Sequence, residues 1–226
     1  MLFLPIRDEG NRPGAHLLVI KILIAVNVAV FLLEIVLMST DTLSDFILNF
    51  GFIPSRFYYI WTAVTSTFIH GGFFHLAGNM LFLWIFGDNI EDLLGNINFA
   101  WFYLLCGFSA NFVDMLFRFG SNIPAIGASG AISGLLGAYI RYFPKNKIVT
   151  FYFFIFRVGT FKIDALWYLA FWFGGQLFYS LFGSDAMGIA YGAHIGGFII
   201  GYFAAGFFPH NKDVIDHHKE IAKRWR

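Results

Sequence analysis

Charge is what this chain has least of. Asp, Glu, Lys and Arg make up 13% of its 226 residues, against 58% apolar side chains and a mean hydropathy of +0.67. A water-soluble domain of this length must cover itself with polar surface, so the composition excludes one. The few charges are also clustered. None falls in residues 57–87, 93–113, 119–140, 165–184 or 186–210, and each run can supply the roughly 20 residues that cross a bilayer as a helix. A net charge of +1 leaves no basic field for nucleic acid. The single cysteine, Cys106, excludes an internal disulfide and reads as a small buried thiol rather than a nucleophile. Met1-Leu-Phe-Leu-Pro reads as too short for a signal peptide and has no basic region before it, so insertion is expected to rest on the first spanning helix.

What is present is a series of apolar helices. Six spans are expected, at roughly 17–38, 70–87, 97–117, 127–143, 163–182 and 187–207. The fold class is therefore read as an all-α polytopic membrane protein. Its six-helix transmembrane domain covers 17–207, between a short N-terminal segment, 1–16, and a basic tail, 208–226. Lys21 and Glu34, near the ends of the first span, are expected to reach the interface by extending their stems. The connection 39–69 carries Phe46, Ile47, Phe50, Phe57, Tyr58, Tyr59 and Trp61 and reads as interfacial. Residues 148–157 are too few to span and are expected at the opposite surface, feeding span five. With a cytoplasmic N-terminus, every Lys and Arg except Arg56 and Arg118 lies inside. That is a strong positive-inside bias; it puts both termini in the cytoplasm, and the chain in the inner membrane of a prokaryotic cell is the expected setting. Spans two, four and six then all run inward.

Polar residues inside such spans point to chemistry. Ser129 opens span four in Gly127-Ala128-Ser129-Gly130, His194 lies in span six, and His75 and Asn79 lie in span two. At 1.5 Å per residue all four fall within about 5–14 Å of the outer ends of their helices. A serine hydroxyl needs a neighbouring base to act as a nucleophile, and His194 is the candidate. Glycines spaced four apart around both residues would let the two backbones approach, although the same spacings also serve as plain packing ridges. His75 and Asn79 share a helix face and, with the Ser129 amide, could form an oxyanion hole; their other reading is interhelical bonding. His70 is read either as a supporting donor at the mouth of the site or as an interfacial residue. No carboxylate sits at this depth on spans four or six, so a dyad is favoured over a triad. His70, His75 and His194 would be enough in number for a zinc ion, but no His-Glu-x-x-His pattern accompanies them, and neither metal nor cofactor is expected. His210, His217 and His218 are expected to be solvated in the tail.

Three runs resemble the signature motifs of the rhomboid intramembrane serine proteases. They are His70-Gly-Gly-Phe-Phe-His75-Leu-Ala-Gly-Asn79-Met, Gly127-Ala-Ser129-Gly130-Ala-Ile-Ser-Gly134-Leu-Leu-Gly137 and Ala193-His194-Ile-Gly-Gly197-Phe-Ile-Ile-Gly201. Residues 86–95, with Gly87, Glu91 and Gly95, resemble the family's Gly-x3-Glu-x3-Gly element. The resemblance implies a six-helix rhomboid-like bundle with Ser129 as nucleophile and His194 as general base. It implies His75, Asn79 and the Ser129 amide as oxyanion donors, with Gly127 beside the hole. It further implies a membrane-embedded loop over 39–69, entry of single-span membrane-protein substrates past span five, and a cap over 183–188. Two departures stand out. Arg56 is followed by Phe57 and Trp61 by Thr62, so the family's Trp-Arg pair is missing, and Ser133 stands where an aromatic residue often lies beneath the histidine. The alternative reading is a catalytically inactive rhomboid-like binding module; a transporter would show internal repeats, which are not evident.

Overall fold

In lipid every backbone N–H and C=O must find a partner within the protein, which forces apolar runs into helices. The computed structural model describes residues 2–10, 17–154, 156–182 and 190–225. After a first strand, β1 (Leu2–Asp8), come α1 (Val19–Ser39), α2 (Leu43–Phe50), the short α3 (Thr62–Thr65), α4 (Phe73–Leu94), α5 (Asn96–Phe117) and α6 (Ser129–Tyr142). A hairpin, β2 (Lys147–Phe154) and β3 (Arg157–Asp164), leads into α7 (Ala165–Phe182), α8 (Tyr191–Ala204) and α9 (Lys212–Lys223). Gly95, at φ +74°, makes the turn that separates α4 from α5. Among the described residues, α1 and α5 are each long and apolar enough to cross a membrane. Up to four spans result if two strongly bent pairs are each taken as one, residues 62–68 with α4 and residues 191–207 with α9. The fourteen-residue α6 and α8 rise only about 21 Å each, less than a bilayer's hydrocarbon core.

The exterior is apolar. Leu32, Val36, Trp101, Leu116, Phe171, Phe182 and Phe203 all face outward, and α1 buries only Ile20, Leu23, Asn27 and Glu34. That is the surface of an integral membrane protein. Its centre is α6, which has ten of its fourteen residues buried and packs against α4, α5, α7 and α8.

Glycine decides how closely α6 and α8 meet. A Cβ at Gly197 would lie 2.2 Å from the Gly130 carbonyl oxygen, and one at Gly201 would lie 2.1 Å from that of Gly134. The backbones are in contact, as small residues permit where lipid supplies no hydrophobic drive. Gly201→Ala is therefore expected to lower stability by about 1–3 kcal/mol, the usual range for overpacking. Gly175→Ala on α7, where an added Cβ meets nothing within 4 Å, should instead gain roughly 0.5–1 kcal/mol from helix propensity. Thermal unfolding in detergent compares the two; equal effects would show that the α6–α8 contact is not tight.

Two carboxylates hold separate parts of the chain together. Glu91 on α4 accepts from the N–H groups of Leu18, Val19 and Ile20 at 2.7–3.0 Å, capping the start of α1. Glu34 does not reach outward as its position suggested; it is buried and accepts the His70 N–H at 3.0 Å. Lys21 is exposed.

The molecule is predominantly helical but not all-α. β1, β2 and β3 form an antiparallel sheet in that order. Residues 148–157, expected only as a surface segment, supply β2 and the turn after it, and β1 comes from the N-terminal segment. The β-branched and aromatic side chains of Lys147–Phe154 suit a pleated surface. Pro5 is tolerated because β1 is an edge strand, and its register shifts between Pro5 and Arg7. The tail folds as well: Asn211 caps α9 by accepting the Asp213 N–H at 2.9 Å. His210 is exposed as expected, but His218 is buried, with Nδ1 2.9 Å from the Asn146 side-chain nitrogen.

Asp8 joins these parts. Its carboxylate accepts from Asn89 Nδ2 at 2.5 Å on α4 and from the Tyr139 hydroxyl on α6, within a cluster that includes Asn146. Burial, only partly offset by these hydrogen bonds, pushes the Asp8 carboxyl up to about 6. The folded state thus holds a proton that the unfolded chain releases near 3.8. Stability from this group is greatest at low pH and falls as pH rises from about 4 to 6. Asp8→Asn should match wild type in thermal stability near pH 4 and exceed it at pH 7. A difference independent of pH would show that Asp8 does not carry the proton.

Candidate active site

The site is built at the head of α6. Residues 120–128 are pinned to the 39–69 segment by paired backbone bonds between Phe52 and Ala125, 3.1 and 2.7 Å, and by the Gly127 N–H on the Ser66 carbonyl at 2.9 Å. Asn111 on α5 donates to the Ala63 carbonyl and to Ser66 Oγ, at 2.9 and 3.0 Å. These bonds anchor the segment although the Trp-Arg pair is missing. Phe57, Tyr58, Tyr59, Ile60 and Trp61 remain exposed, as an interfacial segment requires. Gly127 takes φ +118°, and a Cβ there would sit 2.7 Å from His75 Nε2. Both the backbone angle and the space call for glycine.

Ser129 is the first residue of α6, where N–H groups have no carbonyl one turn earlier in the helix. Its Oγ lies 2.8 Å from His194 Nε2 on α8. The other ring nitrogen, Nδ1, lies 2.7 Å from Gln176 Oε1 on α7. Trp172 lies with its ring centre 6.1 Å from the imidazole, tilted by 32°, and Tyr191 meets it edge-on at 6.2 Å. The aromatic flank absent at position 133 is therefore supplied from α7 and α8. Ser133 is buried, and its hydroxyl donates to the Ser129 carbonyl at 2.6 Å.

A cavity of about 580 Å³ opens at this point. Its polar lining is His75, Asn79, Ser129, Ser133, Gln176 and His194, set among apolar side chains such as Phe82 and Leu136. Asn79 is buried, and its Nδ2 has no hydrogen-bond partner among the described residues. His75 Nδ1 accepts from the Gly71 N–H at 3.3 Å, which leaves the Nε2–H as a donor. Two unmatched donors thus share a cavity with the serine. His70 lies elsewhere. It is buried rather than at the mouth, does not line the cavity, and meets the His75 ring at 5.1 Å. Its place is behind His75, held there through the bond from its own N–H to Glu34.

Among the described residues no three His, Cys, Asp or Glu side chains gather as a metal site. Cys106 is buried against Gly134, away from the cavity lining. The segment 183–188, expected as a cap, falls outside the described residues. Gln176 and Trp172 were not anticipated from the sequence, although Gln176 is the one glutamine of the chain and lies in a charge-free run.

The Rhomboid domain model matches residues 58–211. Among curated proteins, the chain is 33% identical over 145 residues to the rhomboid protease GluP of Bacillus subtilis, covering 64% of this chain and 25% of that one. It is 29% identical over 170 residues to the mitochondrial presenilin-associated rhomboid-like protein of Mus musculus, covering 71% and 41%. It is 37% identical over 94 residues to mitochondrial rhomboid protein 1 of Saccharomyces cerevisiae, covering 40% and 27%. These matches span at most about two fifths of each relative's length.

Proposed function

The chain belongs to the rhomboid family, and from that premise we propose that it is a serine endopeptidase that cleaves single-span membrane proteins in or near their transmembrane helices. The observation that carries the proposal is the 2.8 Å contact between Ser129 Oγ and His194 Nε2 inside a cavity open to a substrate. Ser129 Oγ attacks the scissile carbonyl while His194 Nε2 takes its proton. The carbonyl oxygen, now negative, accepts hydrogen bonds from Asn79 Nδ2, the His75 Nε2–H and the Ser129 N–H. His194 returns the proton to the departing amine, the acyl-enzyme forms, and water activated by the same imidazole releases it. Gly127 keeps the space beside His75 open, and His70 supports that ring from behind. No metal or cofactor takes part in these steps.

The same reading assigns six membrane passages to α1, α4, α5, α6, α7 and α8, the shorter helices being inset among the longer ones. Residues 17–207 form the catalytic domain, with 1–16 and 208–226 on the cytoplasmic side of a prokaryotic inner membrane. The distribution of Lys and Arg supports that orientation. Substrate enters from the lipid past α7, and lipid surrounds the whole bundle.

The test is reconstitution in liposomes with a panel of single-span proteins, together with a serine-directed fluorophosphonate and intact-mass analysis. One adduct mapping to Ser129, and cleavage that survives exhaustive chelation, are expected. A folded protein that binds the panel but neither labels nor cleaves would establish an inactive binding module instead.

A further inference from the structure

Gln176 Oε1 is 2.7 Å from His194 Nδ1, and His194 Nε2 is 2.8 Å from Ser129 Oγ. The relay runs across three helices, from α7 through α8 to α6. An amide oxygen can only accept, so a bond to it requires the proton on Nδ1. Nε2 then carries the lone pair and faces the serine hydroxyl. Without that acceptor the proton can sit on either nitrogen and the ring can turn. The bond also strengthens as His194 takes up the serine proton, because a hydrogen bond from an ionised donor is roughly twice as strong as a neutral one. Gln176 and Trp172 are four residues apart, so α7 presents both to the imidazole from one face.

We propose that Gln176 is a positioning residue for His194, fixing its tautomer and orientation and making the reactivity of Ser129 depend on where α7 sits. The inference rests on the reading of Ser129 and His194 as the dyad. The packing of the three helices is unequal. α6 and α8 are in backbone contact at Gly130–Gly197 and Gly134–Gly201, so the serine and histidine backbones are held together. Only Ala165 and Leu169 of the eighteen α7 residues are buried, and Gly174 and Gly175, next to Gln176, meet open space. A displacement of α7 by about 1 Å would stretch the Gln176 bond beyond hydrogen-bonding range while leaving the α6–α8 contact intact.

Three variants test this: Gln176→Leu, which removes the acceptor; Gln176→Glu, assayed at a pH where its carboxylate is ionised and can accept but not donate; and Gln176→Met, an unbranched replacement for use if leucine lowers the folded fraction. The rate of fluorophosphonate labelling reads Ser129 reactivity without substrate, and liposome cleavage separates kcat from KM. Gln176→Leu and Gln176→Met should slow labelling and kcat about tenfold, the equivalent of one ordinary hydrogen bond, with KM unchanged. Gln176→Glu should keep most of the rate. Nitrogen-15 spectra of the His194 ring should show the Nδ1–H form in wild type and a mixture of tautomers in Gln176→Leu. Labelling by folded Gln176→Leu or Gln176→Met at the wild-type rate would overturn the proposal. Loss in Gln176→Glu equal to that in Gln176→Leu would also overturn it, since the amide N–H rather than the carbonyl would then matter. Failure of the wild type itself to label at Ser129 would instead overturn the dyad, a separate result.

Discussion

Ser129→Ala is expected to end turnover while leaving the folded protein intact, and His194→Ala to do the same. The serine change removes one oxygen at the edge of a cavity, and the 2.8 Å bond to His194 with it. Its effect on stability should stay within about 1 kcal/mol, the net worth of an ordinary hydrogen bond. Its effect on catalysis should be far larger. Where nucleophile and base act as a unit, removing either lowers kcat about 10⁶-fold, and removing both is little worse. Single-turnover cleavage in liposomes, beside thermal unfolding of each variant and of the double variant, reads both quantities. Substantial turnover by well-folded His194→Ala would mean that another group takes the serine proton, and the mechanism would have to be rebuilt around it.

Asn79→Ala and His75→Ala are expected to reduce kcat more than any change outside the dyad. Both side chains bring a donor to the cavity that holds Ser129: Asn79 Nδ2 lacks a partner among the described residues, and the His75 Nε2–H is left over by the bond at Nδ1. Donors left unmatched beside the serine are poised for charge that appears only at the transition state. Losing one should raise the barrier by about 2.7–4 kcal/mol, softened to the extent that the remaining donors compensate. The fall should appear in kcat, with KM little altered. Asn79→Ala should not be strongly destabilising, since among the described residues its Nδ2 has no partner to orphan. If cleavage falls only in step with the folded fraction, the polar face of α4 serves packing and its catalytic role goes.

Helices could be read from the sequence because each is set by its own neighbours along the chain: an apolar run in lipid has one economical backbone solution. The starts of α5, α6 and α7 fall within two residues of the spans read at 97, 127 and 163. The sheet could not be read in the same way. β1 pairs with β2 across at least 140 residues, and Leu2–Asp8 carries no signal for a partner so distant. Buried polar groups follow the same rule. Residue type suggests that Glu34 and His218 seek water, whereas the structure shows the His70 N–H waiting for one and Asn146 for the other.

The sequence by itself determined that this is a membrane protein of apolar helices. Its glycine spacings allowed two helices to approach, and its motifs carried a serine, two histidines and an asparagine of the rhomboid kind. Those properties are local or compositional. Only the tertiary structure decided which groups meet: Ser129 with His194, His194 with Gln176, His75 over Gly127, Glu91 at the head of α1. Each meeting depends on placing, to within a few tenths of an ångström, groups that are not neighbours along the chain. Hydrogen bonds lose their strength over that range, so pattern along the sequence can nominate the partners, and only the packing of helix on helix joins them.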